Sequence, residues 1–270
     1  MSEQSQNLIL VTQPAPAIEL WSLNLPEQRN PITDEPMIEA LIGNIDRIRD
    51  DKSVKCVILT GEGKAFSAGG NIKKMADKSG MFGGEFDEIR EGYRNGVQRI
   101  PLAMRSVDVP FIAAVNGPAV GAGMDLTTMC DMRVAAEQAW FAESFVQLGL
   151  IAGDGGAWFL PRLIGSARAA EMALTGDRVD AVTAERWGLV NYVVSAENLI
   201  ERSLELAGRI VANPVYSVRA TKQLLLDSER HTLESMLEEC ASLQANAHFQ
   251  PDHHEAVAAM LEKRAPRFTS

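Results

Sequence analysis

The chain has 270 residues, 46% hydrophobic and 23% charged, with a formal net charge of −10. That is enough for one substantial core, or a core with an appendage, at an ordinary globular composition. The acidic balance argues against general nucleic-acid binding, because no broad basic field meets phosphates, yet it leaves room for a local cationic patch and an anionic small ligand.

In chain order, residues 18–25 (IELWSLNL) alternate as a strand does, PEQRNPIT turns, and Asp34 is placed to cap a helix running to residue 50. The run 54–60 (VKCVILT) is a buried strand, and a helix starts at 72–75. Residues 78–84 (KSGMFGG) form a glycine-punctuated loop, either a cover over a pocket or a plain connection. One long helix is expected over 85–107. Strand 111–115, helix 121–129, and strands 131–135 and 140–145 follow. GLIAGDGGAW is a third glycine-rich turn into a helix, then come 167–174, 183–187, strand 190–194 and helix 198–211. From 214 to 263 the pattern is almost wholly helical, and no repeat is visible. Strand–helix alternation before a helical tail fits an α/β core with a helical appendage; a doubly wound sheet satisfies the alternation equally well.

Cys56, Cys130 and Cys240 are far apart and read as free thiols of a reducing compartment rather than a disulfide or zinc set. The start MSEQSQNLILV lacks a basic n-region and a long apolar stretch, and no segment nears the roughly 20 apolar residues of a membrane span. A cytoplasmic protein without a membrane partner is expected.

Two small-residue turns carry the chemistry, 65–71 (AFSAGGN) and 116–125 (NGPAVGAGMD), each after an apolar strand and before a helix. Such turns bring main-chain N–H groups close to a ligand, and two together can aim two donors at one oxygen. A serine hydrolase built on Ser67 is disfavoured, since all four histidines, His231, His248, His253 and His254, lie in the tail. The adjacent His253 and His254 have no metal-ligand spacing, and no GxGxxG unit signals a dinucleotide.

The stretches LNLPEQRNPIT, VKCVILTGEGKAFSAGGNIKKM, PFIAAVNGPAVGAGMDLTTMCDMRVAA, the run from GLIAGDGGAW to GLVNYVV, and the terminal EKRAPRF together resemble the enoyl-CoA hydratase/isomerase (crotonase) family over nearly the whole chain. The resemblance implies an α/β spiral of ββα units with two nearly perpendicular sheets. It implies a core over 1–205 with the acyl-CoA site and a helical region over 206–270 that makes a homotrimer or hexamer. It implies a coenzyme A thioester substrate, with no metal and no cofactor besides the coenzyme A that the substrate carries. Oxyanion donors are expected at Ala68 and Ala122, and proton-handling carboxylates at Asp125 and Asp154, the latter also placed to cap the helix beginning at residue 155. The position of the family's second glutamate falls on Phe145, which cannot carry a proton; Glu143 lies two residues earlier, on the same face if the strand continues. That departure shifts the expectation from hydration toward double-bond isomerisation or hydrolysis of a carbonyl compound, with a non-catalytic binding member of the family as the alternative. Phe145 and Trp158 are expected as an apolar wall for Asp154. Ala65, Gly69, Asn71, Ile72 and Gly121 are expected beside the substrate, with Arg29, Lys73, Lys74, Lys263, Arg264 and Phe268 toward its nucleotide end.

Overall fold

The apolar runs assemble into parallel strands buried on both faces. The structure, a computed structural model, describes residues 7–228 and 230–269. Strand β1 (Ile9–Ala15) pairs antiparallel with β2 (Ile18–Leu23) through a tight turn at Ala17. Helix α1 (Glu35–Asp50) leads to β3 (Cys56–Gly61), parallel to β2, and all six residues of β3 are buried. A strand covered on both faces has no polar side, which is why its sequence does not alternate. Then come α2 (Ile72–Ala76), α3 (Phe86–Asn95), α4 (Arg99–Ser106), β4 (Phe111–Val115), β5 (Ala119–Val120) and α5 (Ala122–Met129). Strands β6 (Met132–Ala136) and β7 (Trp140–Ala142), helix α6 (Gly156–Thr175), β8 (Val179–Asp180), α7 (Ala181–Trp187) and β9 (Tyr192–Val194) follow.

The large sheet runs β1-β2-β3-β4-β6-β9, and a small sheet runs β5-β7-β8. Successive turns of chain repeat one layout: β4–β5–α5 and β6–β7–α6 each give a strand to the large sheet, a strand to the small one, and a helix. After β3 the same place in the small sheet is taken by Ser67, in a single parallel bridge to Ala119. The repeat is one of backbone path, not of residues, so the sequence does not display it. The spiral expected from the resemblance is the fold observed.

One face of the large sheet packs on α1, α4, α5 and α6 around Trp21, Phe66, Phe111 and Phe141. The other is covered by α8 (Leu199–Val211), through Leu199, Leu206 and Ala207 against Ile18, Ile58, Ile112 and Val134. Residue 205 lies inside α8. Helix α9 (Val215–Asp227) is tied to the sheet end by two buried cations: Arg219 donates to the carbonyls of Arg49, Asp51 and Val54 and pairs with Asp108, and Lys222 meets Val109 O and Asp131. Helices α10 (Leu233–His248) and α11 (Pro251–Glu262) complete the chain; α10 buries none of its residues, and Leu233, Leu237, Phe249, Met260 and Leu261 are exposed.

Two elements differ from expectation. The helix expected over 85–107 is two, α3 and α4, broken at Gly96 (φ −106°, ψ −115°). A continuous helix would also lose the hydrogen bond that Pro101 cannot donate. The strand expected over 140–145 ends at Ala142, and residues Ser144–Leu148 coil into a 3₁₀ helix. Among the described residues no helix is long and apolar enough to cross a membrane.

Candidate active site

The first small-residue turn is fastened by two asparagines. Buried Asn30 accepts from Leu25 N and donates to the carbonyls of Glu62, Ala65 and Phe66; Asn116 donates to Gly63 O and Ala65 O while accepting from Gly61 N. Ser67 is fully buried, its hydroxyl donating to Asn30 O at 2.7 Å and accepting from Gly69 N at 3.1 Å. It is therefore a brace and not a nucleophile. Gly69 (φ 79°) is where the two turns touch: a Cβ there would stand 2.3 Å from Val120 O and 2.9 Å from Ala122 N. Only glycine fits.

Where the turns meet, a cavity of about 250 Å³ opens, lined by Ala68, Gly70, Gly121 and Ala122 from the turns and by Ile72, Met75, Phe82, Tyr93, Phe145 and Asp154 among the walls. The Ala68 amide, expected as an oxyanion donor, is already bonded to Arg29 O at 2.8 Å, which corrects that expectation. The segment around Arg29 runs alongside the turn, bridging Pro31 to Gly69, and takes up the donors on that side. Two residues on, the Gly70 N–H has no hydrogen-bond partner among the described residues, nor does that of Ala122, which opens α5 before any intrahelical bond is possible. The available pair of donors is Gly70 and Ala122.

The acidic groups gather behind one wall. Asp154 is 4% exposed and is the one carboxylate among the cavity's lining residues; Asp125 and Glu143, at 0% and 1%, lie behind it. Asp125 comes from α5, Glu143 from the end of β7 and Asp154 from the loop before α6, so chain distance hides the cluster. Oxygen faces oxygen: Asp125 Oδ1, Asp154 Oδ1 and both Glu143 carboxyl oxygens meet no donor in the structure, while Asp125 touches each of the other two carboxyls. Carboxyls in contact disfavour one another's ionised form. Burial, then the neighbouring carboxylates, push Asp125 and Asp154 well above the usual range; burial foremost, and the charge of Asp154, lift Glu143 to about 7 against the hydrogen bond from Asp125. Gly156 makes room for this packing. A Cβ there would lie 2.1 Å from Asp125 Oδ1 and 2.7 Å from Glu143 Oε1, and its N–H donates to Asp125 Oδ2 at 2.9 Å.

Asp154 does not cap α6; Gly155 is the N-cap, and the helix start is held by Asp125. Asp125 is thus neither solvated nor among the residues lining the cavity. The apolar wall beside Asp154 is Phe145 and Tyr93; Trp158 stands apart, with Arg162 over its ring at 3.9 Å and Arg105 at 4.4 Å. Phe82, from the glycine-punctuated loop, packs edge-on against Tyr93 with centroids 6.4 Å apart, so that loop does form a wall of the cavity. Phe145 faces the cavity from the 3₁₀ helix while Glu143 turns inward, so the two do not share a face.

A second groove of about 550 Å³ meets the first at Ala68 and Val120 and is lined by Arg29, Lys64, Ala65 and Trp140. Arg29 and Ala65 thus line one groove. Asn71 is not at the cavity: its side chain accepts from Lys74 N as the cap of α2 and donates to Asp34. Lys74 pairs with Asp34 at 3.0 Å, and exposed Lys73 lines neither space. Lys263 caps α11 in a left-handed conformation, Arg264 is held by Glu255 and Glu262, and half-buried Phe268 lies in a tail fastened to α11; none of them lines either space. Gly70, Tyr93 and Phe82 are site residues that sequence reasoning missed. Nothing local in the sequence marks Tyr93, while Phe82 lies in the glycine-punctuated loop read as a cover over a pocket.

Two strand-to-helix turns and one buried carboxyl meet at a mostly apolar cavity, an arrangement suited to binding a small ligand. A profile described as enoyl-CoA hydratase/isomerase matches residues 15–270. The chain is 34% identical to 1,2-epoxyphenylacetyl-CoA isomerase of Escherichia coli (92% of this chain, 93% of that one) and 33% identical to crotonyl-CoA hydratase of Syntrophomonas wolfei (98% of each). The crystal structure of an enoyl-CoA hydratase from Bacillus anthracis superposes with a TM-score of 0.90 at 33% identity, over 97% of this chain and 99% of that one. The chain belongs to the enoyl-CoA hydratase/isomerase family of enzymes.

Proposed function

We propose that this protein isomerises the double bond of an acyl-CoA thioester, with Asp154 as its single proton carrier. The observation that carries the reading is that Asp154 is the one carboxyl among the described residues lining a mostly apolar cavity, with Phe145 also in that lining. Adding water across a double bond needs one group to activate the water and another to protonate carbon; shifting a double bond needs one group that takes and returns the same proton.

The nucleotide end occupies the groove at Arg29, Lys64 and Ala65, and the acyl chain fills the cavity. The thioester oxygen sits between the Gly70 and Ala122 N–H groups, which stabilise it as it gains charge, each by roughly 3–4 kcal/mol. Asp154 removes a proton from the carbon next to the carbonyl: that C–H bond breaks, its electron pair delocalises to the thioester oxygen, and a conjugated enolate forms. The same proton returns to the far end of the conjugated system, leaving the double bond adjacent to the carbonyl. The exposed apolar residues of α10 and α11 support assembly through the C-terminal helices into a trimer or hexamer, because a single chain leaves them in water.

The test is a comparison of trans-3-hexenoyl-CoA and crotonyl-CoA as substrates. Conversion of the first to its 2-enoyl isomer, with water addition to the second at least tenfold slower, supports the proposal. Fast water addition without isomerisation overturns it.

A further inference from the structure

The mechanism above uses Asp154 and leaves two buried acids without a task. Glu143 is 1% exposed, neither of its carboxyl oxygens meets a donor, and it does not line the cavity. Burying an idle carboxyl is costly, and a glutamine or an apolar residue would fill the place at lower cost. Asp125 Oδ1 and Glu143 Oε1 face the same point, 2.1 and 2.7 Å from where a Gly156 Cβ would stand, and Asp125 also interacts with Asp154, so Asp125 links the other two acids. Gly156 keeps the row closed by having no side chain. Among the described residues no group of acidic, histidine or cysteine side chains is arranged to hold a metal ion.

We infer that Glu143 is a positioning residue, the far seat of a three-carboxyl proton row that sets whether Asp154 is acid or base. This rests on the reading of Asp154 as the proton carrier. The row holds two protons and one negative charge. With the charge on Glu143, Asp154 is protonated and donates to Asp125, which donates to Glu143. When the Asp154 proton passes to Asp125 and the Asp125 proton passes to Glu143, the charge sits on Asp154, which is then a base beside the substrate. Each shift breaks one O–H bond and forms another, and the row neither gains nor loses a proton. Asp154 changes role without exchanging protons with water.

Among the described residues, the other charged groups on the elements packed here have partners of their own. From α3, the Tyr93 phenol faces Asp154. From α6, the Gly156 N–H faces Asp125, while Arg162 and Arg168 lie over Trp158 and Trp187. From α4, Arg99 pairs with Glu35 and Glu39, and Arg105 lies over Trp158. From α7, Glu185 accepts from Val193 N and Arg186 donates to Thr183. Burial and the charge of Asp154 place the Glu143 ionisation at about 7, within reach of experiment.

The test is an infrared pH titration of the whole protein, without substrate, for wild type and Glu143→Gln, following the carbonyl stretch of protonated carboxylic acids. The expected result is a band that disappears in wild type around pH 7 and does not disappear there in E143Q. The kcat pH profile with trans-3-hexenoyl-CoA is expected to move by at least one pH unit in E143Q, and kcat at neutral pH to fall at least tenfold at constant KM. Glu143→Asp, which keeps a carboxyl, restores the wild-type profile in part. Identical titrations of the band in wild type and E143Q overturn the inference, as does an unmoved kcat profile. If E143Q does not fold, the wild-type titration decides: the absence of any protonated buried carboxyl between pH 6 and 8 overturns it. Asp154→Asn separates the two proposals. An inactive D154N with an unmoved E143Q profile leaves Asp154 as the proton carrier and removes the row.

Discussion

Replacing Asp154 by asparagine keeps the size and shape of the side chain while abolishing its proton chemistry. Asp154 is 4% exposed and has an oxygen that meets no donor, so the new amide fits the same space and can donate to Asp125. The fold and the cavity are therefore expected to survive, with KM within about twofold of wild type. The lost effect is general acid–base catalysis, about 10²–10⁴ in rate, or about 3–5 kcal/mol of barrier. The assay is isomerisation of trans-3-hexenoyl-CoA, with a parallel reaction of substrate deuterated at the carbon next to the carbonyl, read by mass spectrometry for deuterium taken up at the far end of the conjugated system. Both turnover and label uptake are expected to fall together. A kcat within threefold of wild type refutes the reasoning, because no other carboxylate among the described residues lines the cavity.

Further outcomes follow from the same geometry. Ala122→Pro removes one oxyanion donor at the first position of α5, where proline is tolerated; kcat is expected to drop about 10²–10³-fold while the circular dichroism spectrum is unchanged. Gly156→Ala drives a methyl into Asp125 Oδ1, and chemical denaturation should show a loss of about 1–3 kcal/mol together with loss of activity. Stability should fall as pH rises. An acid whose folded value lies above its unfolded one binds protons more tightly when folded, so its burial costs nothing below the unfolded value and the full amount above the folded one. For Glu143, rising from 4.5 to about 7, that cost is about 3 kcal/mol, developing between those two pH values; Asp125 and Asp154 extend it upward. Denaturation midpoints at pH 5.5 and 8 check the sign. Leu237→Glu on α10 is expected to lower the mass found by analytical ultracentrifugation toward that of one chain, because Leu237 is exposed in a single copy.

Much of the fold was legible because burial writes itself into local composition. Strands β3 and β4 are continuous apolar runs, and their small-residue exits mark the two turns in the sequence itself. What failed was what depends on a distant partner. The Ala68 amide looks free until the Arg29 carbonyl, far back in the chain, is laid against it. Period-two alternation put Glu143 and Phe145 on one face, but β7 stops at Ala142, and the 3₁₀ turn sends one side chain inward and the other to the cavity. Asp125, Glu143 and Asp154 come from three segments, so no motif shows that they touch. Asn71 and Lys74 read as ligand contacts and are instead tied to Asp34. The break between α3 and α4 was visible in Gly96 and Pro101, yet the apolar periodicity across it concealed it.

The most direct test of the central claim is a crystal structure with hexanoyl-CoA, an unreactive saturated thioester. The account predicts the thioester oxygen at about 2.7–3.1 Å from the N–H groups of both Gly70 and Ala122, with the carbon next to the carbonyl facing Asp154. A thioester bound elsewhere, or lying in the cavity with its oxygen turned away from those two amides, contradicts it.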